Sequence, residues 1–202
     1  MWTMIGTRDA SLKWIAFMSE IIPAVLATSV SDFNLKLAQI PKEVKFVHVD
    51  ILEEDIWADI NIDFEVHLMV SRPDEIMARW VERRAKRIIV HKLDEKITKF
   101  RDKVEIGLGV ELHTSLDEIW PLISQIDFLH LMSIAEIGAQ GHSFEPIIFD
   151  RIKKVKEKFP ELVISVDGGI DASNYQRLIN AGVERLIVGS SFQNLWNSLT
   201  KK

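Results

Sequence analysis

The sequence predicts a single closed (β/α)8 barrel, an α/β fold, and three observations predict it. Eight short apolar runs alternate with amphipathic, charge-rich segments along the chain. Strand alternating with helix implies parallel strands joined by right-handed crossovers. Polar residues embedded in those runs sit near their C-terminal ends, the rim where barrel enzymes carry reactive groups. An open doubly wound sheet is the second arrangement that such alternation allows.

Residues 1–20 precede the first run, and Trp14, Ile15 and Met18 recur at helical spacing. They predict an N-terminal extension with an extra helix that closes the barrel floor, leaving 21–202 as the barrel. The first strand is Ile21–Ala27, followed by a helix over Asp32–Gln39 capped by Ser31 or Asp32. Val44–Ile51 is the second strand. Leu52 to Asn61 is then all that separates it from the third strand, Phe64–Val70. A crossover with its helix needs at least ten to twelve residues, so this unit has room for one or two helical turns at most. The next helix covers Pro73–Arg84, with Ser71 placed to cap it. The fourth strand Arg87–His91 leads to a helix over Glu95–Lys103, and the fifth strand Val104–Glu111 to one over Ser115–Ser124, capped by Thr114 or Ser115. Phe128–Ile134 and Phe149–Lys158 form the sixth unit. Leu162–Val166 and Ala172–Ala181 form the seventh, capped by Asp171 and ended by Gly182. Arg185–Val188 and Ser191–Leu199 complete the eightfold TIM-barrel pattern.

The chain has 202 residues, against about 250 for a typical barrel and about 200 as the floor. The short second unit is where that length is saved. The composition, 47% hydrophobic and 27% charged, is that of an ordinary soluble domain. There is no cysteine, which excludes a disulfide framework, a thiolate zinc site and a cysteine nucleophile together. Lys and Arg total 25 against 30 Asp and Glu, a formal charge of -5. A weakly acidic chain lacks the basic footprint of a nucleic-acid binder. No apolar run reaches the roughly 18 residues of a membrane span. No secretory leader is legible either, so the expected place is the cytoplasm.

The chemistry concentrates in a few polar residues. His48 and Asp50 are two apart on the second strand and therefore share a face, with Val47, Val49 and Ile51 on the other. His67 sits within the third strand, and Asp167 closes the seventh just before Gly168-Gly169. Singly, each has a bland reading: a hydrogen-bonded core histidine, or an aspartate that forms a turn. Together they pose a problem, since burying two His and two Asp without partners costs several kcal/mol. One divalent cation removes it, and mixed nitrogen and oxygen ligands suit zinc best, with iron, manganese or cobalt as alternatives. The two carboxylates, on different strands, could also flank a small substrate and move protons on opposite faces of a carbon next to a carbonyl. Glycines after the seventh and eighth strands, Gly168-Gly169 and Gly189-Ser190, fall where such barrels hold phosphate. Gly138, Ala139, Gln140 and Gly141 after the sixth strand could fold over the same spot. The remaining histidines His91, His113, His130 and His142 lie near strand ends or loops, and spacing selects none of them.

In register, His48-Val49-Asp50, Val66-His67-Leu68-Met69-Val70, Ser143-Phe144, Val166-Asp167-Gly168-Gly169-Ile170 and Gly189-Ser190 resemble the ribulose-phosphate 3-epimerase family of phosphate-binding barrels. The likeness runs over roughly residues 21–192. It implies interconversion of D-ribulose 5-phosphate and D-xylulose 5-phosphate. The divalent metal would fall to His48, Asp50, His67 and Asp167, with Asp50 and Asp167 as the acid/base pair. It further implies a sugar phosphate held by His67, Gly168, Gly169, Gly189 and Ser190 under the Gly138–Gly141 loop. It implies a small-molecule partner, with no nucleic acid and no membrane, and allows a homo-oligomer. Three segments depart from the family's pattern. Ala24 stands where the first strand usually has serine, Ile51-Leu52-Glu53 replaces a Met-Asp-Gly turn, and Glu136–His142 replaces Asn-Pro-Gly-Phe-Gly-Gly-Gln. A second implied reading is thus a diverged sugar-phosphate-binding barrel without activity. The related decarboxylases and synthases need a lysine where this chain has Leu52, which discounts their chemistry.

Overall fold

The computed structural model describes residues 19–200, so the helix expected around Trp14 lies outside the described residues. Eight strands pair in parallel, each with its successor, and β1 pairs with β8 to close the barrel. They are β1 (Glu20–Leu26), β2 (Phe46–Ile51), β3 (Asp63–Leu68), β4 (Arg87–Val90), β5 (Glu105–Val110), β6 (Phe128–Met132), β7 (Val163–Asp167) and β8 (Arg185–Val188). The helices are α1 (Val30–Gln39), α2 (Pro73–Glu82), α3 (Glu95–Thr98), α4 (Leu116–Ile119), α5 (Ile148–Lys158), α6 (Tyr175–Asn180) and α7 (Phe192–Thr200). A 3-10 helix, Trp120–Gln125, continues α4.

Alternation along each strand sorts two interiors. Val47, Val49, Val66, Leu68, Ile88, Val90, Ile106 and Leu186 face outward and form one apolar layer with Met77, Trp80, Ile152, Val155 and Leu195 of the helices. The opposite faces fill the barrel itself, where buried His48, Glu65, His67, Arg87, His130 and Ser165 stand among Ile22, Ile89 and Phe128. Gly107, opposite Phe128 in the register, makes room for that ring: a Cβ there would collide with it. Gly107→Ala is expected to destabilise the fold by about 1–3 kcal/mol through overpacking. Urea unfolding of the variant measures this directly.

The connection from β2 to β3 holds no helix at all. A tryptophan takes the helix's place: Trp57 packs on Phe33 (5.9 Å between ring centroids), Phe64 (5.0 Å) and Trp80 (5.0 Å). Arg83 lies over both Trp57 and Trp80, at 5.0 and 4.5 Å, while bonding Asp55 of the same loop at 2.8 Å. Ion pairing of Arg79 to Asp55 adds a second tie. The capping groups differ in part from those the sequence suggested. Ser29, not Ser31 or Asp32, caps α1 by accepting from the Asp32 amide. Ser71 bonds Glu53 instead of capping α2, and Asn174 is the residue before α6. Ser115 caps α4 as expected. No helix among the described residues is long and apolar enough to cross a membrane.

Candidate active site

The period of two along β2 carries His48 and Asp50 to the barrel interior, and parallel pairing sets Asp50 beside His67. Asp167 reaches the same point from β7. One donor atom from each of His48, Asp50, His67 and Asp167 lies within 4.8 Å of the others. The imidazoles are wholly buried, whereas the carboxylates of Asp50 and Asp167 keep 9% and 14% of their side-chain surface exposed. The cluster is therefore open on its carboxylate side only.

That side faces a cavity of about 480 Å³. Met69 and Met132 line it, as do Gly168, Gly169, Gly189 and Ser190. Gly138, Ala139, Gln140 and Gly141 complete its wall. The structure thus gathers every residue that the sequence singled out, although the glycine pair also has a packing reason. Gly168 and Gly169 have φ of 112° and 62°. A Cβ on Gly169 would lie 2.5 Å from the Phe144 amide nitrogen, and one on Gly168 would lie 2.6 Å from Ile134. Gln140 rests its side-chain amide on Gly189, within 3.4 Å of where a Cβ would stand, and donates to the Ala24 carbonyl at 3.4 Å.

Several residues that support this cluster were not selected from the sequence. Glu65, wholly buried on β3, accepts from His48 Nδ1 at 2.7 Å and from Arg87 at 3.2 Å. It precedes His67 by two residues, so the rule that pairs His48 with Asp50 could have found it. His91, just past β4, approaches His67 Nε2 at 2.8 Å. His130 of β6 bonds Ser165 at 3.1 Å, stacks on His48 (centroids 5.6 Å apart) and brings Nε2 to 3.6 Å from Asp167. No local sequence signal distinguishes His91 and His130 from the other histidines, because only the strand pairing brings them here.

The site's electrostatics separate the two carboxylates. Burial raises the Asp50 pKa, but the His48 charge, the bond from His48 and the His67 imidazole 3.4 Å away outweigh it, so Asp50 lies well below the carboxylate range. Asp167 gains less: burial, with the Asp50 charge beside it, pushes it up to about 6. His48 is lowered by burial yet held above its ordinary value by Asp50 and Glu65. His130, buried and near the His48 charge, falls to about 3.

The donor set fits a divalent cation. His67 Nδ1 is buried without a hydrogen-bond partner and points between Asp50 Oδ1 (3.4 Å) and Asp167 Oδ2 (3.8 Å). Ligands about 2.0–2.2 Å from one ion lie roughly 3.3–3.6 Å apart in a tetrahedron, which these spacings approach. His48 presents Nε2 to Asp50 at 3.1 Å while Glu65 holds its other nitrogen, the carboxylate–histidine arrangement that supports metal ligands.

Comparison with known proteins agrees with this geometry. The sequence model of the ribulose-phosphate 3 epimerase family matches residues 20–193. The chain belongs to that family. The ribulose-phosphate 3-epimerase of Schizosaccharomyces pombe is 22% identical over 197 residues, covering 86% of each chain. That of Chlamydia muridarum is 29% identical over 172 residues, covering 72% of this chain and 75% of the relative. Among solved structures, the tryptophan synthase complex from Pyrococcus furiosus aligns with a TM-score of 0.60 at 13% identity, over 88% of this chain and 90% of the other. That likeness shows the barrel fold. The family is one of isomerases, and the cluster at its centre here is a buried His/Asp group that could bind a metal ion.

Proposed function

We propose that this chain inverts C3 of a ketopentose phosphate, interconverting D-ribulose 5-phosphate and D-xylulose 5-phosphate. The observation that carries the reading is the pair Asp50 and Asp167. They reach one point from β2 and β7, and their surroundings push their proton affinities apart. In one direction Asp50, ionised, takes the proton from C3, next to the substrate carbonyl. Asp167, able to hold a proton near neutral pH, then delivers one to the opposite face. In the reverse direction the roles exchange. His48, His67, Asp50 and Asp167 would hold the divalent metal, zinc best suited to the donors, with iron, manganese or cobalt as alternatives. When bound, the metal supplies Lewis-acid stabilisation of the negative charge that develops on substrate oxygens. Met69 and Met132 bring apolar surface against the reacting carbons, limiting water there. Gly168, Gly169, Gly189 and Ser190 place backbone groups at the phosphate end, and Gly138 to Gly141 cover the substrate.

The test is incubation of zinc-loaded protein with ribulose 5-phosphate in deuterated water. Xylulose 5-phosphate carrying one deuterium at C3 is the expected product. Absence of both exchange and product overturns the reading; saturable binding alone would make this a sugar-phosphate-binding barrel. Metal affinity should depend on pH. Asp167 keeps its proton up to about pH 6, and a cation must displace it. Zinc affinity is expected to be unaffected by this group above that pH and to fall below it, by roughly tenfold per unit for each proton displaced. Competition with a chromophoric chelator at pH 5 and pH 7.5 measures the difference.

A further inference from the structure

We propose that Arg177 is the charged arm of the phosphate site, donating its guanidinium to the dianionic phosphate monoester of the substrate. This rests on the sugar-phosphate reading and adds a side chain to a site otherwise built from backbone. Charge is the first argument. Asp50, Asp167 and Asp171 all line the cavity, and Arg177 is the single Lys or Arg that does so among the described residues. A phosphate monoester carries about -1.5 to -2 at pH 7. A metal ion would offset the carboxylates of Asp50 and Asp167, which leaves the charge of the phosphate to another group.

Position is the second argument. Arg177 lies on α6, whose start is tied to the β7 loop: Asn174 donates to the Gly169 carbonyl at 2.9 Å and accepts from the Asp171 amide at 2.9 Å. The guanidinium stacks on Phe149, 4.4 Å from the ring centroid, and Phe149 packs on Phe144 at 5.7 Å. Phe144 is the residue whose backbone abuts Gly169. An unbroken set of contacts therefore ties the guanidinium to the backbone at Gly169. The third argument is that its donors are free. Arg79, Arg83, Arg87 and Arg101 each engage a carboxylate. The Arg177 guanidinium has no hydrogen bond or ion pair with the described residues. Stacking fixes the plane of the group and leaves its donor edges available, the arrangement in which arginine recognises phosphate.

The experiment measures inorganic phosphate binding by calorimetry to the zinc-loaded protein and to Arg177→Gln and Arg177→Lys, with zinc content determined for each. Arg177→Gln is expected to weaken phosphate binding about tenfold, the scale of one charge-assisted contact, with Arg177→Lys in between. The same variant should raise KM for ribulose 5-phosphate about tenfold, with the smaller effect on kcat, since the phosphate is remote from C3. Equal phosphate affinity in wild type and Arg177→Gln, or no phosphate binding by the wild type, overturns the proposal. Turnover failing in the wild type while phosphate binding still depends on Arg177 would remove the epimerase reading and keep this site.

Discussion

Asp50→Asn and Asp167→Asn are each expected to lower kcat by about a thousandfold or more, the scale at which a positioned proton carrier contributes. Asparagine keeps the shape of the side chain and cannot accept or return a proton at C3. The two variants should differ in what survives. With Asp167→Asn, Asp50 can still reach the C3 proton of one epimer, so residual deuterium exchange is confined to that epimer and proceeds without inversion. Asp50→Asn leaves the converse, exchange of the other epimer alone. Proton NMR of C3 in each isolated sugar phosphate reads both outcomes. A variant that retains a tenth of wild-type turnover would remove its residue from the proton-transfer role.

Glu65 carries the second large effect. Its carboxylate joins His48 to Arg87 inside the barrel, and its pKa, raised by burial, is brought down to about 2 by His48 and Arg87. Glu65→Gln keeps the volume but removes the charge that fixes the His48 ring and its tautomer. Zinc affinity is expected to fall about 10–100-fold, the usual consequence of losing a partner behind a metal ligand. Glu65→Leu goes further, because Arg87 then loses its fully buried carboxylate. Breaking such a pair costs roughly 3–5 kcal/mol in folding, and Glu20, bonded to Arg87 at 2.8 Å, should hold the loss to the lower end. Chelator competition and thermal unfolding separate the two effects. Unchanged zinc affinity in Glu65→Gln would show that Glu65 serves packing alone.

The architecture was legible because barrel strands advertise themselves. Runs such as Val47–Ile51 and Arg87–Val90 are apolar on the face that meets the helices, and the glycines after β7 and β8 fall where loops must turn. Helix lengths were less legible. The pattern over Glu95–Lys103 continues past Thr98, yet α3 stops there and the chain turns through Phe100 to reach β5. Pro121 likewise ends α4, and the rest of the expected Ser115–Ser124 helix tightens into the 3-10 helix Trp120–Gln125. Of the site, His48, Asp50, His67 and Asp167 followed from side-chain period and strand ends. Glu65, Arg87 and His130 did not, because each looks like an ordinary strand residue until the register sets it beside a polar partner on a neighbouring strand. Trp57 was hidden for a similar reason. The missing helix was evident from length, but which side chain covers the exposed sheet depends on where α1 and α2 lie.

The ionic groups at the N-terminal ends of the strands have a kinetic consequence. Arg87 of β4 bonds Glu20 of β1 and Glu65 of β3, while Glu105 of β5 bonds Arg185 of β8 at 3.1 Å. These partners are separated by as many as 80 residues. Glu20 and Arg185 occupy one register level across the seam where the first and last strands meet. Any partly assembled array of strands lacks that seam, and so leaves Arg185 and Glu20 without the neighbours that satisfy them. Contacts formed only at closure stabilise the finished barrel over its folding transition state, so they act mainly by slowing unfolding. The charged floor beneath the reactive cluster is therefore a latch on the lifetime of the native state, set by the order in which strands can meet.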